Sequence, residues 1–278
     1  MGNTAHKLVN GNAQTAAIWD RVIAANYRDL ASFGNFSNLK TWVLIGRNTA
    51  LGTSALDITS TNTVHTWPQT ASNLEIISSS TDDDAGGTGA LKVKLVGLDE
   101  DWNEIEEEIE TNGTDASSPT TNKFLRLQQA FVTESGTYSS STSGGHVGSI
   151  TVRIAGAGAA QAVIRVEDGM QQGFAHIGRF TVPRGWTAIP INLSFTVLSG
   201  KVASPFVFVR QNSEDFSTIY AKRNVLPYNG VAGGSGLQLD TGVTRSFEQF
   251  TDIWGAAIAT AVGTEIQFRS SGILIKDI

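Results

Sequence analysis

Cysteine is absent from the chain, which removes disulfides, zinc–cysteine centres, iron–sulfur clusters and thiol nucleophiles. Charge is sparse as well: 17% of residues are charged, against about 25% in an average globular protein. No basic cluster is denser than Lys222–Arg223, so there is no stripe to replace counterions along phosphates, and direct binding to DNA or RNA is not expected. Long apolar runs are missing too. Without a window of about 18 apolar residues no membrane-spanning helix is expected, and the opening "MGNTAHKLVNG" lacks the apolar segment of a secretory signal.

What remains is 278 residues, 40% hydrophobic, with 29 glycines and a net charge of -6. That is ample apolar material for a core, and abundant Gly, Ser and Thr suit short strands joined by small polar turns. The pattern predicts an all-β protein of two β-sandwich or jelly-roll-like domains, 40–170 and 171–278, behind an arm over residues 1–39. The arm is expected to be a short helix in "AQTAAIWDRVIAANYRDLASF", where Ile18, Val22, Ala25, Tyr27 and Leu30 recur at three-to-four spacing. From Thr41 the period changes to two. "LKVKLVGL" sets Leu91, Val93 and Leu95 against Lys92 and Lys94, and "SITVRIAG" sets Ile150, Val152 and Ile154 against Thr151 and Arg153. "PFVFVRQ" is apolar on both faces and reads as a strand buried on both sides. "FTVPRGWTAIP" reads as strand, Pro-Arg-Gly turn, strand.

The stretch "TDDDAGGTGALKVKLVGLDEDWNEIEEEIETNGT", residues 81–114, is the main candidate for chemistry. An EF-hand loop counted from Asp99 is matched by Asp101, Asn103 and Glu110, but its sixth position is Glu104 where the sharp turn needs Gly. The segment before it reads as a strand rather than a helix. A charged hairpin fits better: Glu104, Glu106, Glu108 and Glu110 share one face and oppose Lys92 and Lys94. Glu107, on the apolar face, is then a candidate for a hairpin salt bridge or a contact with a neighbouring chain.

Other motifs are incomplete. "GTGALK" and "GAGAAQ" lack the third Gly of a dinucleotide loop, and "GGSGL" around Ser235 lacks the last Gly of a nucleophile elbow. His6, His65, His146 and His176 are not at metal-ligand spacing. No catalytic, cofactor-binding or metal residues are assigned, and no cofactor is expected. Most of the six Trp suit packing; Trp102, at a polar turn, is the exception and is expected to be exposed or docked into a neighbour.

Several blocks together resemble a family of virion structural proteins of tailed, mostly marine, bacteriophages. They are "HTWPQTASNLEIISSSTDDDAGGTGALKVKLVGLDEDWNEIEEEIETNGT", "FLRLQQAFV", "GSITVRI", "FTVPRGWTAIP", "FEQFTDIWGAAIA" and "GILIKDI". The likeness runs from about residue 42 to the end. Arg184 and Trp186 depart from the family's Ala and Lys in its Val-Pro-Ala-Gly-Lys hairpin, and the arm has no counterpart. The resemblance implies a non-enzymatic building block: a capsid decoration (cement) protein on the outer surface of the phage head, made in the host cytoplasm. Its implied partners are further copies of itself, as a symmetric homo-oligomer such as a trimer, and the major capsid protein. Trp19, Tyr27, Trp102 and Glu107 are the candidate contact residues. The alternatives are a tail or head-fibre component, or an adhesin that binds a receptor or glycan.

Overall fold

The structure is a computed structural model that describes residues 38–137, 145–167, 170–198, 201–218, 221–227, 230–240 and 246–277. The arm's expected helix, with Trp19 and Tyr27, lies outside the described residues, and so does most of the Ser/Thr-rich loop after Thr137.

The described residues form eighteen strands and no helix. In chain order the first ten are β1 (Leu39–Leu51), β2 (Leu56–Asp57), β3 (Leu74–Ser78), β4 (Ala90–Leu98), β5 (Glu104–Glu110), β6 (Arg126–Ser135), β7 (Ile150–Ile154), β8 (Ala160–Ile164), β9 (Val166–Glu167) and β10 (Met170–Gln171). The second half supplies β11 (Arg179–Thr181), β12 (Trp186–Val197), β13 (Val202–Arg210), β14 (Arg223–Pro227), β15 (Val231–Ala232), β16 (Gly236–Asp240), β17 (Asp252–Ala259) and β18 (Thr264–Lys276). The pairings are antiparallel. Alternating apolar residues put one face of most strands into a core and leave the other wetter, while β11 and β17 are buried on both faces.

Two such cores exist. Sheet β3-β7-β8 packs on sheet β5-β4-β6 through Leu74, Ile76, Val93, Leu95, Ile150 and Val152. Sheet β1-β18-β12-β16 packs on a sheet of β11, β17, β13 and β14, with β2 and β15 at its margins. Trp42, Phe195, Val207, Ile253 and Phe268 fill that second core. Phe195 and Phe268 are fully buried and stack at 4.9 Å. Burial of each such ring is worth about 1.5–3 kcal/mol. Gly255 lies under the Phe268 ring, and a Cβ there would overlap it.

The two ends of the chain build the second sandwich together. β1 runs beside β18 from Leu39↔Ile275 to Leu51↔Thr264, and β2 pairs with β17. β1 and β2, which apart from Leu39 lie in the unit read from sequence as 40–170, thus pair with strands of the second half. The β3–β10 set is inserted between them and β11.

The strand–turn–strand reading of "FTVPRGWTAIP" holds, but what the turn joins is not a hairpin pair, and the reading of β13 changes. β11 pairs with β17 while β12 pairs with β18, so the Pro-Arg-Gly turn is no hairpin but a crossover between the two sheets. Gly185 supplies the left-handed residue, φ 73°, that the turn needs. On β13, Pro205, Val207 and Val209 are buried, whereas Phe206 and Phe208 are half-exposed and stack on each other at 6.1 Å. That strand is buried on one side, and its outer face is only partly covered, Phe208 lying 5.5 Å from the Trp254 ring.

Candidate functional site

The acidic stretch is a hairpin with a buried carboxylate at its base. β4 and β5 align Lys92 with Glu110, Lys94 with Glu108 and Leu98 with Glu104. Lys94 Nζ reaches Glu106 at 2.7 Å and Lys92 Nζ reaches Glu134 on β6 at 2.7 Å. Of the three consecutive aspartates, Asp83 is fully buried. Its carboxylate accepts from Ala90 N at 2.9 Å, Val147 N at 2.7 Å, Gly148 N at 2.8 Å and Ser78 Oγ at 2.5 Å. It ties β3, β4 and the residues before β7 together. Asp99 folds its own turn, accepting from Asp101 N and Asn103 N at 2.9 Å each. Glu75, also buried, accepts from Arg153 Nε at 2.7 Å, Gly156 N at 3.0 Å and Ala157 N at 3.1 Å. Its pKa is held down first by the Gly156 amide.

Two of the candidate contact residues face their own chain. Trp102 is 3% exposed and clusters with Ala71, Leu98, Leu125 and Phe250. Its ring meets Phe250 at 5.5 Å and Phe216 at 6.2 Å. The turn that carries it is clamped by the crossover turn: Arg184 N donates to Trp102 O at 3.0 Å and Arg184 Nε to Asp101 O at 2.6 Å. A polar turn thus hides an aromatic ring because a second turn closes over it. Glu107 accepts from Thr121 N at 2.7 Å and Asn122 N at 2.8 Å. It anchors the segment before β6 through these two amides. Trp19 and Tyr27 remain outside the described residues.

A buried polar cluster around Asp252 joins the two sandwiches, and no local motif pointed to it. Asp252, at the start of β17, is fully buried. It accepts from Thr181 Oγ1 at 2.6 Å, Ser213 Oγ at 2.7 Å, Arg126 Nε at 3.2 Å and Arg210 Nη2 at 2.6 Å. Arg126 comes from β6 of the first sandwich and Arg210 from β13 of the second. The Trp67 ring lies 5.1 Å from the Arg126 guanidinium and 5.2 Å from that of Arg210, and Trp102 lies 4.9 Å from Arg126. Such contacts favour a cation on an aromatic face. Nearby, Asp57 accepts from His65 N at 2.7 Å, and burial raises its pKa. Arg179 donates to Gln161 O at 2.6 Å, and burial lowers its pKa to about 9. The sequence signal was a charge inside an apolar strand, Arg126 in "FLRLQQAFV" and Asp252 in "FTDIWGAAIA".

Three histidines are described. His65 packs edge-on against Trp67 at 5.0 Å, and burial pushes its pKa far down. His176 packs against Phe174 at 4.6 Å, and burial, then the charge of Arg47, lowers its pKa to about 4. His146 Nε2 accepts from Gly173 N at 3.2 Å, so Nδ1 is the donor to Gly148 O at 2.7 Å.

No family model matches the chain, and no curated protein does either. Among solved structures, the chain is similar to that of infectious bursal disease virus, Gt strain, at 10% identity over 86% of this chain and 72% of that one, with a TM-score of 0.21. The T13 particle of the same virus gives 10% identity, 86% and 69% coverage and a TM-score of 0.24. Broad bean stain virus gives 11% identity, 77% and 89% coverage and a TM-score of 0.21. TM-scores of this size do not establish a shared fold.

Proposed function

We propose that the protein is a non-enzymatic virion structural protein, a decoration protein seated on the outer face of a tailed-phage capsid. One observation supports this reading most: the buried or bonded carboxylates, two of them (Asp83 and Glu107) in the acidic stretch that first suggests chemistry, serve the framework. Asp83, Glu75, Glu107 and Asp252 each accept bonds that join separate strands or segments. The resemblance of residues 42 onward to phage virion proteins supports the same assignment, since it falls on the hairpin and turns these groups hold in place.

A coat protein works by contact, and mass action on a closed symmetric assembly adds to the stability of each copy. With Trp102 and Glu107 engaged inside the chain, Trp19 and Tyr27 are left to carry the contact with the capsid or a neighbouring copy. Deleting residues 1–37 tests this, because β1 begins at Leu39. The shortened protein is expected to keep a folded β-core by circular dichroism and to be missing from particles assembled in its presence. Normal incorporation of the shortened protein would overturn the role given to the arm.

A further inference from the structure

The sheet β1-β18-β12-β16 has a second apolar face. Ile266, Phe268 and Leu274 of β18 point into the core with Trp42 and Ala188. Ile273 and Ile189, which oppose each other on β18 and β12, therefore point outward. They cluster with Leu39, Ile191 and Ile275, so every member comes from β1, β12 or β18. Among the described residues no apolar side chain of a second layer joins this cluster. Its burial is uneven. Ile273 is 0% exposed and Ile189 6%, whereas Ser271 is half-buried and Arg269 exposed farther along the same side of β18. A side chain in the middle of a bare sheet face keeps contact with water, so the burial of Ile273 requires a layer above it. Thr41 and Val43, its β1 neighbours on that face, are exposed. The cover therefore lies over β18 and β12, not beside β1 as a further strand.

The chain itself offers that layer. Residues 1–37 join the sheet at Leu39, which is a member of the cluster. Ile18, Val22 and Ala25 recur at the three-to-four spacing of an apolar helical stripe. A patch across three strands is about 10 Å wide, and a helix with its side chains is about as broad. The link from Leu30 to Leu39 can span up to about 30 Å, at about 3.3 Å per residue, which is enough to bring the stripe back over the face. The competing segment is 241–245, which lies between the partners of Asn192 and Ala188 on the edge of β12. It contains one large apolar residue, Val243, too little to cover a cluster of five on three strands.

We propose that residues 1–37 dock over the outer face of β18 and β12 of their own chain, with Ile18, Val22 and Ala25 against Ile189 and Ile273. A helix seated this way turns Tyr27 from the sheet, about 140° round from Val22, and leaves it for an outward contact. The docking goes beyond the capsid assignment and does not depend on it.

The test uses the full chain. Because the chain lacks cysteine, a single introduced thiol reports its own surroundings. In Ile273→Cys the thiol is expected to resist a maleimide in the native protein. Adding Val22→Asp sets a carboxylate against the apolar face, which favours opening of the cover, and labelling is expected to rise by about tenfold or more. Val243→Asp in the same background is expected to leave the rate unchanged. Far-UV circular dichroism checks that each variant keeps its strands. Slow labelling with Val22→Asp, or a comparable rise with Val243→Asp, would overturn the proposal and assign the cover to 241–245. Dilution separates the arm's own chain from a second copy. Protection within one chain is expected to be the same from about 100 μM to about 1 μM, because mass action leaves an intramolecular contact untouched. Protection lost on dilution would assign the cover to a second copy and overturn docking within the chain. Neither measurement involves a capsid, so failure of the docking and failure of the decoration role are read separately.

Discussion

Asp83 shows what a single carboxylate does in this chain. Four donors from three segments converge on it, and a buried amide left without its acceptor costs about 1–3 kcal/mol. Asp83→Ala is therefore expected to lower the stability measured by urea denaturation by about 3 kcal/mol or more, whereas Asp82→Ala, at an exposed position, should change it by less than about 0.5 kcal/mol. Equal effects at the two positions would deny Asp83 its structural role. The histidines set the pH dependence. His65 and His176 titrate near 6.5 when unfolded, and both are pushed down in the fold, His176 to about 4. The folded state resists their protonation, so the stability they permit is complete above about 6.5 and is lost as pH falls towards the folded values. The slope is up to about 1.4 kcal/mol per pH unit for each group. Asp57, raised by burial, acts in the opposite sense, because its protonation on acidification relieves a buried charge. His176→Gln should flatten the stability profile between pH 6.5 and about 4; a profile identical to that of the unmodified protein would contradict the buried-neutral assignment.

Strands and turns differ in how much the local sequence reveals. At one point β1, residue 178 and the segment after β2 pack backbone to backbone. A Cβ on Gly46 or Gly178 would overlap the Ile58 carbonyl oxygen, and Gly178 has φ 69°. Gly178→Ala combines the clash with a strained backbone and is expected to cost more than about 2 kcal/mol, read as a fall in thermal midpoint; an unchanged midpoint would mean the three backbones have room to separate. The β4–β5 hairpin was legible because its evidence is local: Lys92 and Lys94 alternate on one strand and four glutamates on the next. Trp102 was not, because the rings that bury it, Phe216 and Phe250, lie far along the chain. The intrachain partners of Glu107 were not legible for the same reason, since Thr121 and Asn122 belong to a segment with no pattern of its own. The Val-Pro-Arg-Gly turn had the chemistry of a tight turn, and it is one; which sheets it joins depends on β17 and β18, which no local signal specifies.

At the scale of the whole molecule, the sequence indicated an all-β chain but not how its halves are joined. β1 and β2 return to the C-terminal strands, so the second sandwich closes only when both ends are present. Contacts across the junction then link the two sandwiches: Arg126 with Asp252, Lys40 with Glu104 at 2.6 Å, and Arg184 with the turn of the acidic hairpin. Partial unfolding of one sandwich would leave buried guanidinium and carboxylate groups unpaired, a cost that favours joint unfolding. The proposed decoration role requires that the protein be repeated over a capsid. The most direct measurement is the copy number of this protein in purified virus particles, by quantitative mass spectrometry against the major capsid protein. A decoration protein predicts a copy number comparable to that of the capsid protein and related to it by a simple ratio; a count that matches a tail component, or absence from the particle, would contradict the assignment.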